Sequence, residues 1–81
     1  MKNQLNINGG REGYWERYFP NRNIMSKGHY KNGLRNDYWE YYWNNGKLAA
    51  KGNYINEERI GSWEAYFVGG KLRLKEFYLV D

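Results

Sequence analysis

The sequence contains no cysteine, which excludes a disulfide framework and any thiolate metal site. Proline and histidine occur once each, as Pro20 and His29. With one imidazole and no thiol, a metal could be held only by carboxylates. No phosphate loop, nucleophile elbow or Ser/His/Asp order is present. Apolar runs are equally scarce. No window approaches the roughly 18 apolar residues of a membrane-spanning helix, and Met1–Leu5 has no apolar leader segment. The expectation is a soluble chain, or the mature part of an exported one. The absence of cysteine leans the expectation towards the cytoplasm. A mean hydropathy of −1.07 argues against a large aliphatic core. A chain of 81 residues makes one small domain that buries only about two-thirds of its unfolded surface.

What the chain has instead is aromatic residues, at 20% of the sequence, led by nine Tyr and four Trp. Such side chains can cover an apolar surface while one end stays wet, which suits a thin sheet. They recur with a period of 24 residues. Trp15, Glu16, Tyr18, Ile24, Lys27, Gly28 and Tyr30 fall in the slots of Trp39, Glu40, Tyr42, Leu48, Lys51, Gly52 and Tyr54. Trp63, Glu64, Tyr66, Leu72, Lys75 and Tyr78 repeat the series. Three such blocks without insertions define a repeat protein. The units span residues 13–36, 37–60 and 61–81, with a partial unit at 5–9.

Each unit reads as strand, turn, strand. Gly13–Phe19 and Ile24–Tyr30 flank a turn at Pro20–Asn23. Tyr38–Trp43 and Leu48–Tyr54 flank Asn44–Lys47, and Ser62–Phe67 and Leu72–Leu79 flank Val68–Lys71. Asn32-Gly33 and its counterpart Asn56-Glu57 read as two-residue hairpin loops between units. Leu5–Gly9 supplies a short edge strand. No segment has a sustained helical period. The expected fold is all-β, a single-layer antiparallel meander of six main strands plus the N-terminal edge.

Pairing Phe19 with Ile24, Trp43 with Leu48 and Phe67 with Leu72 across the turns sets a register. Glu16 then faces Lys27, Glu40 faces Lys51 and Glu64 faces Lys75, while Trp15 lies over Gly28 and Trp39 over Gly52. Alternation gives one face Trp15, Phe19, Ile24, Trp39, Trp43, Leu48, Trp63, Phe67 and Leu72, joined by Tyr30, Tyr54 and Tyr78. This is the expected core side. The other face carries the Glu/Lys pairs and the row Tyr18, Tyr42 and Tyr66, beside Tyr14, Tyr38 and Met25.

The blocks Asn45-Gly46-Lys47-Leu48, Gly52-Asn53-Tyr54 and Gly61-Ser62-Trp63-Glu64-Ala65-Tyr66 make the chain resemble a MORN repeat protein. More narrowly it resembles the bacterial MORN variant of the YwqK antitoxin family. The resemblance runs from about Asn6 to Tyr78 and implies a hairpin meander that binds proteins, or in some eukaryotic relatives phospholipid. A looser likeness to choline-binding cell-wall repeats rests on alternating Trp, paired aromatics and Gly. The chain departs from the repeat's glycine pattern at Arg22, Asp37, Glu57 and Glu76, which leads to the expectation of an irregular third unit that caps the sheet.

The functional expectation is a non-enzymatic binding module of bacterial or phage type, with an antitoxin-like or inhibitory role implied by the resemblance. Tyr18, Tyr42, Tyr66, Tyr14 and Tyr38 are its expected contact residues. Trp15, Trp39, Trp63, Gly28, Gly52 and the pairs Glu16/Lys27, Glu40/Lys51 and Glu64/Lys75 are structural. The partner is another protein or a second copy of the chain. The alternative class is a module for anionic phospholipid or cell-wall glycan. Nucleic acid is not expected, because the net charge of +4 is spread through the repeats rather than clustered. His29 shares a slot with Asn53 and Phe77, which marks a rim position, not a ligand. No cofactor is expected.

Overall fold

The computed structural model describes residues 2–79; Met1 and the expected end of the third unit, residues 80 and 81, lie outside the described residues. Seven strands follow one another, β1 (Gln4–Leu5), β2 (Arg11–Tyr18), β3 (Ile24–Lys31), β4 (Leu34–Tyr42), β5 (Leu48–Ile55), β6 (Glu58–Tyr66) and β7 (Leu72–Tyr78). They form one antiparallel sheet in sequence order. Its extents are 41 × 38 × 14 Å. A thickness of 14 Å leaves no room for a second sheet, which would stack about 10 Å away and carry side chains of its own.

Local chemistry sets the corners. In both loops between units, Asn32-Gly33 and Asn56-Glu57, the two residues hold positive φ, the signature of a type I′ hairpin whose twist matches its strands. Within units the turns close by Phe19 N–H donating to Asn23 O, Trp43 N–H to Lys47 O and Phe67 N–H to Lys71 O, each at 2.8 Å. The N-terminal edge strand lies at Gln4–Leu5 rather than Leu5–Gly9. Asn6 ends it, because its Oδ1 accepts from the backbone N–H groups of Asn8 and Gly10 at 3.0 and 2.9 Å and bends the chain into a turn.

Glu16 stands opposite Lys27, Glu40 opposite Lys51, Glu64 opposite Lys75, Trp15 opposite Gly28 and Trp39 opposite Gly52. The pairing expected beside the turns is corrected by a bulge. Tyr18, Tyr42 and Tyr66, not Phe19, Trp43 and Phe67, pair with Ile24, Leu48 and Leu72. One extra residue, Met25, Ala49 or Arg73, makes up the difference. Ile24, Leu48 and Leu72 are therefore set against the tyrosine row and not the tryptophan row.

A second bulge recurs between units. Lys27 pairs with Glu40 and His29 with Asn36, which leaves Gly28 facing the three-residue stretch Asp37–Trp39. The slack lets Trp39 lie flat across the preceding unit, where its Nε1 donates to His29 O at 3.0 Å. Trp63 does the same to Asn53 O at 2.9 Å, and Trp15 to Gln4 O at 3.0 Å. The expectation that Trp39 covers Gly52 is thus corrected. A Cβ added at Gly28 would collide with the indole of Trp39, and one at Gly52 with that of Trp63.

The core consists of Trp39, Tyr54 and Trp63, exposed by only 2–4%, with Tyr30, Tyr41 and Tyr78 packed against them. Edge-to-face contacts join Tyr30 to Trp39 at 5.0 Å and Tyr54 to Trp63 at 4.9 Å, the arrangement ring quadrupoles favour. Trp43, Phe67 and Leu72, expected in this core, are exposed because they lie at the turns, beyond the reach of the next unit's indole. A single sheet still needs a lid on its apolar face, and arginines provide it. Arg11, Arg35 and Arg59 place their guanidinium groups over the rings of Tyr30, Tyr54 and Tyr78 at 5.5, 4.4 and 5.9 Å. Each arginine precedes its tyrosine by 19 residues. Arg35 also donates to the hydroxyls of Tyr41 and Tyr54 at 2.6 and 3.0 Å and pairs with Glu57.

The third unit keeps the register of the first two, so the expected irregularity is not one of pairing. What changes is cover. Glu76 occupies the slot that Gly28 and Gly52 hold under an indole, and β7 is exposed along nearly its whole length.

Candidate functional site

On the face opposite the indoles, alternation brings Tyr14, Glu16 and Tyr18 of β2 into one line, and Tyr38, Glu40 and Tyr42 of β4 into the next. The hydroxyls close on the carboxylates between them. Tyr14 donates to Glu16 Oε2 at 2.8 Å, and Tyr18 donates to Oε1 of the same residue. Tyr38 and Tyr42 donate to Glu40 Oε2 and Oε1 at 2.8 and 2.6 Å. In β6 the clamp is half complete, because Ser62 replaces the first tyrosine and only Tyr66 donates to Glu64, at 2.5 Å.

Lysines fill the rows between. Lys27 pairs with Glu40 at 3.4 Å and Lys51 with Glu64 at 3.6 Å, each across the boundary between units. Lys75 reaches Glu64 within its own hairpin at 3.7 Å, and Lys2 takes Glu16 at 2.6 Å. Lys27 of β3 and Lys51 of β5 each stand opposite two glutamates, one on either side. The result is a row of alternating sign across the sheet.

These contacts set the titration of the row. The Lys2 ammonium, then the hydroxyls of Tyr18 and Tyr14, hold the Glu16 carboxyl down to about 2. Partial burial works against ionisation of Glu40, but donation from Tyr42, Tyr38 and Lys27 outweighs it and its carboxyl lies below the usual range. Burial first, and the hydrogen bond to Glu16 second, push the Tyr14 phenol up to about 12. Burial followed by Glu40 raises Tyr38 and Tyr42 as well. Every glutamate of the row is ionised and supplied with donors, an arrangement that fixes aromatic side chains and leaves no carboxylate idle as a proton acceptor.

Between β2, β3 and β4 the face sinks into a cleft of about 470 Å³, lined by Tyr14, Lys27, Gly28, His29, Asp37, Tyr38 and Glu40. His29 is exposed and tilts against Tyr14 at 5.5 Å. Among the described residues no group of three or more His, Asp or Glu is placed to hold a metal ion.

The row Tyr18, Tyr42 and Tyr66 and its companions Tyr14 and Tyr38 thus share one face with the Glu/Lys ladder. Three features were not read from the sequence. Tyr41 belongs to the core, stacked on Trp39 at 5.9 Å, although it stands two residues from that indole and alternation already placed it there. The arginine lid carried its own signal, a repeat of Arg11, Arg35 and Arg59 in one slot. The cleft carried none, since it arises where unlike residues of two units meet.

Comparison with curated proteins and with solved structures returns no match. The family model for the MORN repeat variant matches residues 11–32 and 38–56, half of the chain and the same two units that form the complete clamps. MORN repeats are generally binding modules and not catalytic ones. By that match, and by the hairpin meander it predicts, the chain belongs to the MORN repeat variant family.

Proposed function

We propose that the tyrosine face is a protein-binding surface and that the chain acts as an inhibitory, antitoxin-like factor by occupying its target through that face. The observation that carries this reading is the clamping of the tyrosine hydroxyls. All five of these rings are tied at the hydroxyl to a glutamate two residues away in the same strand, yet Tyr18 and Tyr38 remain 47% and 45% exposed. Rings already fixed lose little rotamer freedom when covered, so more of the burial energy goes into affinity. Tyrosine is also favoured at interface centres, and the alternating Glu/Lys row supplies a polar surround.

The test is capture from the native cell with the wild-type chain and with Tyr42→Ser/Tyr66→Ser. The double variant is expected to keep its far-UV spectrum and cooperative melting and to lose the partner, while an Arg73→Ser control on the edge strand retains it. Retention of the partner by a folded double variant would overturn the reading. Binding instead to vesicles of anionic phospholipid, falling steeply with salt, would replace it with the lipid class.

A further inference from the structure

The cleft between units one and two differs from the equivalent place between units two and three at every position that gives it character. His29 becomes Asn53, Asp37 becomes Gly61 and Tyr38 becomes Ser62. The second junction therefore has neither the extra acid nor the second aromatic wall. Three departures from the period, His29, Asp37 and Tyr38, thus lie together in one depression.

Its chemistry is specific. Two tyrosines and an imidazole form the sides and the bare backbone of Gly28 contributes to the floor. Both tyrosine hydroxyls donate to ionised carboxylates, which enriches the rings in electron density and favours a cation beside them. Of the charged groups, Lys27 is committed to Glu40. Asp37 joins none of the ion pairs among the described residues. Lys27 and Glu40 cancel, so the cleft carries the single negative charge of Asp37. That carboxylate also sits at φ +65°, where the other units place glycine.

We infer that this cleft receives a guanidinium side chain, an arginine presented by the protein that the tyrosine face engages. The inference rests on the protein-binding reading and adds the partner's chemistry to it. A planar guanidinium can stack on a tyrosine and bond a carboxylate with two N–H groups at once, which an ammonium cannot. The volume of about 470 Å³ accommodates the whole side chain.

The experiment is a titration of the isotopically labelled full chain, followed by amide NMR, with N-acetylarginine amide and with its neutral isostere N-acetylcitrulline amide. Saturable shifts are expected at the amides of Lys27, Gly28, His29, Asp37 and Tyr38, with citrulline at least about tenfold weaker. Asp37→Asn, which removes the charge and keeps a residue that tolerates positive φ, should weaken arginine binding by about tenfold. Absence of saturable shifts there, an equal response to citrulline, or unchanged binding by folded Asp37→Asn would each overturn the inference. None of these touches the protein-binding reading, which is decided by Tyr42 and Tyr66, outside the cleft.

Discussion

The indole of Trp39 rests on the backbone of Gly28, a residue of the preceding hairpin, and its N–H is bonded to the next carbonyl, that of His29, at 3.0 Å. Gly28→Ala would drive a methyl group into a ring held on both sides. We expect a loss of about 3 kcal/mol or more, at the upper end for overpacking, and the same for Gly52→Ala under Trp63. Gly69→Ala, with nothing near its added carbon, should leave the melting temperature almost unchanged. Thermal unfolding followed by circular dichroism measures all three.

Trp39→Ala and Trp63→Ala remove the two largest buried side chains and should each destabilise by about 3–5 kcal/mol. A domain of this size has roughly 4–12 kcal/mol in total, so each variant should lose a large share of its stability and melt far below the wild-type chain. Trp43→Ala should cost less than either, about 1–2 kcal/mol, because Trp43 is 37% exposed at a turn and its indole N–H donates to Tyr66 O at 3.2 Å. A large effect at Trp43 would return it to the core that the sequence suggested.

Arg22 and Glu57 both hold positive φ, at +73° and +75°, where sister units have glycine. Their outcomes should differ. Among the described residues Arg22 makes only a backbone bond to Phe19, so Arg22→Gly relieves strain and should stabilise by about 1 kcal/mol. Glu57 binds the Arg35 Nε at 2.5 Å and the Arg35 backbone N–H at 2.8 Å. Its replacement by glycine loosens the lid over Tyr54 and should bring no gain in melting temperature.

The tyrosine clamps make stability depend on pH at both ends. Glu16 is lowered to about 2 from an unfolded value of about 4.3. Its contribution is complete above about pH 4 and lost as pH falls through about 2. Tyr14 is raised to about 12 from about 10. Its contribution is complete below about pH 10 and lost as pH rises through about 12. Melting temperature against pH should show a plateau between these limbs. Glu16→Gln should make the acid limb shallower, and Tyr14→Phe the alkaline one, with Glu40, Tyr38 and Tyr42 sustaining the remainder; tyrosine absorbance near 295 nm would report the alkaline limb directly.

Much of this fold could be read from the period. Repetition named the strands, the Asn-Gly loop fixed the hairpins, and two independent pairings, Glu with Lys and Trp with Gly, agreed on register. What the period could not decide was which neighbour a side chain meets. Lys27 stands opposite Glu16 in its hairpin and opposite Glu40 in the next. The sequence treats these as equal, but Lys2 occupies Glu16 and Lys27 turns to Glu40. The bulges at Met25 and at Asp37–Trp39 were illegible for a related reason. An extra residue on one strand alters pairing without altering spacing, so strict alternation put Leu72 in a core it does not enter. The tyrosine face was legible because no bulge interrupts Tyr14, Glu16 and Tyr18 on their own strand.

Because Trp39 and Trp63 each land on the unit before their own, the chain should tolerate a large excision better than a small one. Removing residues 37–60 whole joins Asn36 to Gly61 and carries Trp63 onto the vacant backbone of Gly28, with Lys27 now meeting Glu64. The indole-on-glycine and Lys/Glu contacts are replaced by their counterparts one period away, while Tyr38 and Tyr41 give way to Ser62 and Ala65. Removing a single residue from the middle of β4 turns the following side chains to the wrong face and takes the indole off its glycine. Length can vary in steps of 24 residues at little cost to the architecture, while the reading frame of the sheet cannot slip by one.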